Sequence, residues 1–166
     1  MAFEEGDVEG AAIEGLVRLV AASSRFQARA ELQSAEAAEA RIYWPWVQED
    51  IELKRPCAIV EDGEFDYDSV AGGSENYLMP MGSLILTLTD NDRFEGQEKD
   101  GWRDFLKWQS QVIYDIAEKA GSDDHLDIVA IRRVQRSIAN PPQQSPAVKP
   151  YWWSKWEVIW STRGGQ

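Results

Sequence analysis

Cysteine and histidine, which carry much of nucleophilic and metal chemistry, are nearly missing from this chain. Its 166 residues include one of each. The single cysteine, Cys57, excludes a disulfide within the chain. Its apolar neighbours predict a buried side chain, and this usage fits a reducing compartment. His125 follows two aspartates at a predicted turn, where a solvated loop residue is expected rather than a member of a catalytic triad. The sequence therefore predicts a protein that is not an enzyme and needs no cofactor.

Positive charge and long apolar runs are also scarce. Seventeen lysines and arginines face 29 acidic residues, which gives a net charge of −12. Proteins that read nucleic acid normally carry a basic patch, and the one local basic cluster here is Arg132, Arg133 and Arg136. No apolar run approaches the length of a membrane span, and the acidic N-terminus argues against a signal peptide. The acidity is expected to keep the protein soluble, or to line a lumen through which DNA passes without sticking.

Tryptophan, by contrast, is abundant. Four of the eight tryptophans lie within residues 151–160. From Trp152 onward the side chains alternate in the pattern of a half-buried strand. This pattern places Trp153 on the face opposite Trp156 and Trp160, where a loop or another subunit would cover it. Trp44 and Trp46, on either side of a proline, are candidates for the same kind of contact.

The apolar periodicity predicts one α+β domain over residues 1–166, with a core at about 7–161. Its expected architecture is a mostly antiparallel sheet with two helices packed on one face. The last two strands lack a crossover helix and are expected to form an antiparallel hairpin. Residues 32–40 suit either a short helix or an ordered loop. The predicted order is α-β-β-β-α-β-β, with a helix from Asp7, strands at 41–44, 56–60 and 82–89, a helix at 102–120, and strands at 126–135 and 151–160.

Two long connections interrupt this order, an acidic one at 61–74 and a proline-rich one at 137–150. The acidic connection lacks the spacing of a calcium-binding loop, which favours a solvated loop. A metal-dependent hydrolase that uses Asp66, Asp68, Asp90 or Asp92 remains an alternative.

The candidate tryptophans and the arginine cluster leave two further interpretations open. A small acidic binding module would use Trp44 and Trp153 to hold a peptide. The arginines at 132, 133 and 136 would either pair with acids on the neighbouring strand or contact an acidic partner surface.

Six segments together resemble a known family. They are the N-terminal helix, a short strand before a proline (41–45), an Arg-Pro-containing strand (55–60), a hydrophobic strand (84–89), a long helix (102–120) and a closing Trp-x-x-x-Trp strand (156–160). This layout resembles the tail-terminator, or tail-completion, proteins of long-tailed bacteriophages and related particles. The resemblance is one of element order and covers residues 7–161.

The resemblance implies a structural virion protein that assembles as a closed homo-oligomeric ring, expected to be a hexamer, on the head-proximal end of the tail tube. Such a ring stops tube growth and contacts the major tail tube protein and the head–tail connector protein. Genome DNA would pass through its lumen without specific binding. The implied location is the tail or neck of the virion, after assembly in the host cytoplasm. The connections at 61–74 and 137–150 are candidates for inter-subunit arms, and a neck or head-completion connector is the alternative function.

Overall fold

The structure is a computed structural model that describes residues 7–44, 53–69, 78–91, 93–94, 98–122, 126–136 and 151–162. These ranges contain four α-helices, a short 3₁₀ turn at Ala120–Ser122 and five β-strands. The helices are α1 (Val8–Ala21), α2 (Ser24–Arg29), α3 (Ala35–Glu39) and α4 (Glu98–Lys119). The strands are β1 (Ile42–Tyr43), β2 (Cys57–Ser69), β3 (Leu78–Asn91), β4 (Leu126–Arg136) and β5 (Tyr151–Thr162).

The five strands form one sheet in the order β1-β2-β3-β5-β4. Every neighbouring pair is antiparallel except β1 with β2, which confirms the predicted α+β class and mostly antiparallel sheet. The predicted pairing of the last two strands is confirmed as well. The C-terminal strand β5 lies inside the sheet, between β3 and β4, so it holds both together.

The hydrophobic core lies between the helices and one face of the sheet. The apolar stripe of α1 is buried, with Leu16 and Val20 fully inaccessible, and it belongs to one core cluster with Leu84, Leu86 and Leu88 of β3. These leucines alternate along the strand, so all three point to the same face. Burial of this apolar surface is the main favourable contribution to folding.

One face of α4 is buried against the core. It carries Phe105, Trp108, Gln109 and Ile116, whereas Ala117 is exposed. The buried positions lie together because residues three and four apart share a helix face.

The predicted number of helices, two, was too small, because two short helices follow α1. Ser23 caps α2, its side chain accepting a hydrogen bond from the Phe26 amide at 3.2 Å. Ser34 caps α3 in the same way, accepting from the Ala37 amide at 3.1 Å. Helix α3 shows that the segment 32–40 contains a short helix, which was one of its two predicted forms, the other being an ordered loop. Side-chain caps of this kind satisfy amides that a short helix would leave unpaired.

The prediction of an acidic connection at 61–74 was wrong for its first part, since residues 61–69 continue strand β2. Phe65 explains the error. Its ring stacks on Trp160 with centroids 5.9 Å apart, so an apolar residue alternates with the exposed carboxylates of Glu64 and Asp66. A strand with one face buried tolerates acids on the other. Residues 70–74 and the predicted proline-rich loop at 137–150 lie outside the described residues.

Candidate interaction surface

The face of the sheet that points away from the leucine core remains partly exposed. Strand alternation sends every second side chain of β2, β3 and β5 to this side. It combines apolar side chains with charged ones, so it differs from a purely solvated surface. The partly exposed residues of this open face include Ile59, Ile85, Trp153, Lys155, Glu157 and Ile159.

The predicted opposition of the tryptophans in β5 is confirmed. Trp152 is buried against the ring of Trp102, with centroids 5.0 Å apart, whereas Trp153 lies half-buried on the open face. In the sheet register Trp153 is opposite Thr89. A contact with another subunit through Trp153 stays a prediction.

The structure does not bring the candidate tryptophans together. Trp44 follows β1 and is 40% exposed, while Trp153 lies on β5. Three strand spacings separate β1 from β5, a distance of about 14 Å across the sheet. One small pocket that uses both rings is therefore not formed. Trp46 lies outside the described residues.

The arginine cluster divides between the two faces of the sheet. Arg132 lies on the open face and donates two hydrogen bonds, of 2.9 and 2.6 Å, to Glu157 Oε1 on the neighbouring strand. Arg136 lies on the other face, with its guanidinium carbon 5.9 Å from the centre of the Trp102 ring. Arg133 is exposed and pairs in register with Trp156. The expectation of a cross-strand acid partner is thus met for Arg132, which still keeps 65% of its side chain exposed.

A groove of about 260 Å³ lies on the open face where β2, β3 and β5 meet. Carboxylates outnumber the single guanidinium along it, which disfavours an anionic cofactor. The residues that line it are Glu64, Phe65, Asp66, Met81, Gly82, Ser83, Arg132, Glu157 and Ile159.

Asp90, one of the candidate metal ligands, is instead the centre of a buried ion-pair cluster. Its Oδ2 accepts from Arg29 Nε at 2.5 Å and from Arg93 Nε at 2.8 Å, and its Oδ1 accepts from the Asn91 amide at 2.8 Å. These contacts fill the positions that a cation would need. Sequence reasoning missed the cluster, although the alternation of Leu84, Leu86 and Leu88 places Asp90 on the buried face.

The other candidate metal ligands do not assemble in the described part of the chain. Asp66 is exposed on β2, and the side chains of Asp68 and Asp92 lie outside what the structure describes. Among the described residues, no group of three or more histidine, cysteine, aspartate or glutamate side chains could hold a metal ion. The structure therefore gives the metal-hydrolase alternative no support.

A second polar cluster joins α2 to α4. The Ser23 hydroxyl donates to Asp115 Oδ2 at 2.7 Å, and Arg25 pairs with the other oxygen of the same carboxylate. Asp115 is buried, so both contacts satisfy a charge that would otherwise be costly. The cluster therefore holds the two helices together.

Cys57 is fully buried, as predicted. Burial raises the pKa of its thiol to about 12, because the thiolate would lose its hydration inside the protein. The thiol is therefore protonated at neutral pH and is not a nucleophile in the folded chain.

None of the helices in the described ranges is both long and apolar enough to cross a membrane. The chain matches no protein-family model and no curated protein.

Proposed function

We propose that this chain is the subunit of a ring that caps the head-proximal end of a bacteriophage tail tube and joins it to the head connector. The observation that carries the proposal is the order of elements. Three strands, the long helix α4 and two further strands follow the N-terminal helices, in the order expected for such a subunit. The proposal rests on architecture rather than on a short sequence motif.

The shape of the sheet supports the proposal. Its helices cover one face, and the opposite face leaves isoleucines, a tryptophan and an ion pair partly exposed. Subunits of closed rings use such surfaces, since neighbouring copies cover what a single copy leaves open.

The charge of the chain supports the proposal from a different direction. A net charge of −12 repels the phosphates of DNA. A ring around the path of the genome needs a lumen that DNA crosses without binding. Acidic residues on the lumen wall would meet that need.

Particle assembly by the genome that encodes the chain tests the proposal. Deletion of the gene should yield filled heads without tails and tail tubes of uncontrolled length, which electron microscopy would show. Supplying the intact chain in trans should restore tailed particles of uniform length. Gold-labelled antibody should then mark the junction of head and tail.

Two results would contradict the proposed function. One is normal tail length and head joining in the deletion strain. The other is a label found on the tail tip or fibres rather than at the junction.

A further inference from the structure

The sheet ends in two edges that no other described strand covers. β4 forms one edge along its whole length of 11 residues. At the other edge, β1 pairs only with Ala58 and Ile59 of β2, so residues 60–69 form a second edge of similar length. An edge of this kind presents backbone amides and carbonyls that can pair with a further strand.

The two edges carry opposite charge. Three arginines project from the second half of β4, and all three are exposed (Arg132, Arg133 and Arg136). Acidic residues dominate the free edge of β2 and are exposed or partly exposed (Glu61, Asp62, Glu64 and Asp66). Asp127 at the start of β4 is the one acid on the basic edge. The chain as a whole has a net charge of −12, so a basic edge is unusual on its surface. Such an edge is suited to bind an acidic partner.

Exposed apolar side chains accompany the arginines. Val129 and Val134 are 59% and 51% exposed, and each lies where the register between β4 and β5 shifts. Bulges and charges can also serve to keep an edge from pairing. A further strand paired with β4 would bury these exposed valines. Their burial would be favourable, so the valines favour a role in pairing over a role in protecting the edge.

Strand direction suits a head-to-tail contact. Antiparallel pairing from β2 to β3, from β3 to β5 and from β5 to β4 makes β4 run opposite to β2. Two copies placed side by side in the same orientation therefore bring β4 of one copy antiparallel to β2 of the next. Such an interface joins two different edges, and it closes into a ring when the rotation between copies allows it.

The register brings Arg132 and one acid of the β2 edge to the same height and the same face, while Asp127 and Asp66 share another row. Arg132 is opposite Glu157, Glu157 is opposite Ile85, and Ile85 is opposite Glu61. Arg132 and Glu61 therefore occupy one row of the open face at the two ends of the sheet. If neighbouring copies are related by rotation about an axis parallel to the strands, equivalent residues stay at the same height along that axis. Arg132 of one copy then lies level with Glu61 of the next.

We propose that the arginine-bearing edge β4 of one copy pairs with the acidic edge of β2 in a second copy, extending one sheet from subunit to subunit. This inference rests on the proposed function, because it names the contact that would close the ring. Backbone hydrogen bonds would supply affinity, and the charges would select the partner edge.

Charge reversal on either edge tests the pairing. One variant carries Arg132→Glu and Arg133→Glu, so both of its edges are acidic. A second carries Glu61→Lys, Asp62→Lys and Glu64→Lys, so basic residues outnumber acidic ones on both of its edges. Light scattering after size exclusion should show assemblies of the 18.8-kDa chain for the wild type and single chains for each variant alone. Mixing the two variants in equal amounts should restore assemblies in which they alternate.

The mixture separates lost pairing from lost folding, because two misfolded chains would not restore each other. A matched control reverses two exposed cations on α4, with Arg103→Glu and Lys107→Glu. This control should assemble like the wild type. Higher salt should weaken every assembly, since it screens exposed charges.

Three results would overturn the edge pairing. They are a wild type that stays a single chain at every protein concentration, reversal variants that assemble as well as the wild type, and a mixture that fails to recover. None of them decides the proposed function, which particle assembly tests. A ring held by other surfaces would still cap the tube, and a chain that pairs by its edges could still be absent from the head–tail junction.

Discussion

Arg29 connects three elements of the molecule through one guanidinium. It belongs to α2, pairs with Asp90 at the end of β3, and reaches Asp104 on α4 at 2.6 Å. Its guanidinium carbon also lies 5.1 Å from the centre of the Trp108 ring. The planar guanidinium allows these contacts at once, which a lysine could not reproduce. A short helix with little apolar surface of its own is held in place by this side chain.

Removal of the charge from Asp90 should therefore destabilise the fold strongly. Asp90→Asn leaves the buried guanidinium of Arg29 with one carboxylate fewer, and we expect a loss of about 3 kcal/mol in the free energy of unfolding. Urea denaturation followed by tryptophan fluorescence measures this change. Glu157→Gln is the matched control, because its ion pair with Arg132 is largely exposed and should cost less than about 1 kcal/mol. Equal losses for the two variants would contradict the structural role of Asp90.

Cys57 should give the stability a measurable pH dependence. The folded state keeps the thiol proton up to a pKa of about 12, while the unfolded chain loses it near the ordinary value of 9.0. Above pH 9.0 the unfolded state therefore binds fewer protons, and the free energy of unfolding falls as pH rises. The Cys57 contribution is fully present below pH 9.0 and is lost between there and about 12.

The Cys57→Ala variant isolates this effect. Over that interval the wild type should lose stability more steeply than the variant, by up to about 1.4 kcal/mol per pH unit. Denaturant titrations at a series of pH values give both slopes. Parallel slopes would show that the thiol titrates normally in the folded protein.

At the scale of elements, a glycine in β3 allows aromatic rings from its two neighbouring strands to stack on each other. Gly82 lies between Phe65 on β2 and Trp160 on β5 in the sheet register. A Cβ at this position would lie 2.8 Å from the indole of Trp160 and 2.8 Å from the backbone oxygen of Glu64. The missing side chain lets the Phe65 and Trp160 rings stack directly over the strand between them. Aromatic side chains commonly cover a glycine in this way.

Gly82→Ala should consequently strain the sheet. We expect a loss of about 1–3 kcal/mol, the usual cost of forcing extra volume into a packed core. Thermal unfolding followed by circular dichroism measures it. Gly121→Ala serves as control, since a Cβ there meets no atom within 4 Å. A neutral Gly82→Ala variant would mean that the indole is free to move aside.

At the scale of the whole molecule, the C-terminal strand β5 connects strands β3 and β4, which lie far apart in the sequence. β5 pairs with β3 along its length and with β4 on its other side. Its Val158 and Trp160 also complete the core beneath the helices. The sheet and the core are therefore complete only with β5 in place.

A chain that ends at residue 150 should not fold. Without β5, strand β4 loses its neighbour in the sheet and the core loses Val158 and Trp160. We expect a non-cooperative thermal transition and poorly dispersed amide resonances. A chain that ends at Thr162 keeps all five described strands and should unfold cooperatively. A cooperative transition in the shorter chain would contradict this account of β5.

Local patterns foretold several elements correctly. The stripe of α1 and the alternating leucines of β3 repeat with the periods of a helix and a strand, and each element buries the face that its pattern marks. The missing crossover foretold the hairpin of β4 and β5. Residues 61–69 escaped prediction because acids dominate them, and only the contact between Phe65 and Trp160 shows which face is buried.

The sequence by itself determined the class of the fold, the strand order along the chain and the burial of Cys57, because these depend on the period of apolar residues and on composition. Beyond the pairing of β4 with β5, tertiary structure alone decided which strands became neighbours, so only the fold reveals a basic edge and an acidic edge on one sheet. It also decided the surroundings of Asp90, whose partner Arg29 comes from α2, 61 residues away along the chain. Pairing across long stretches of chain leaves no periodic signal, since it depends on distances that the folded backbone creates.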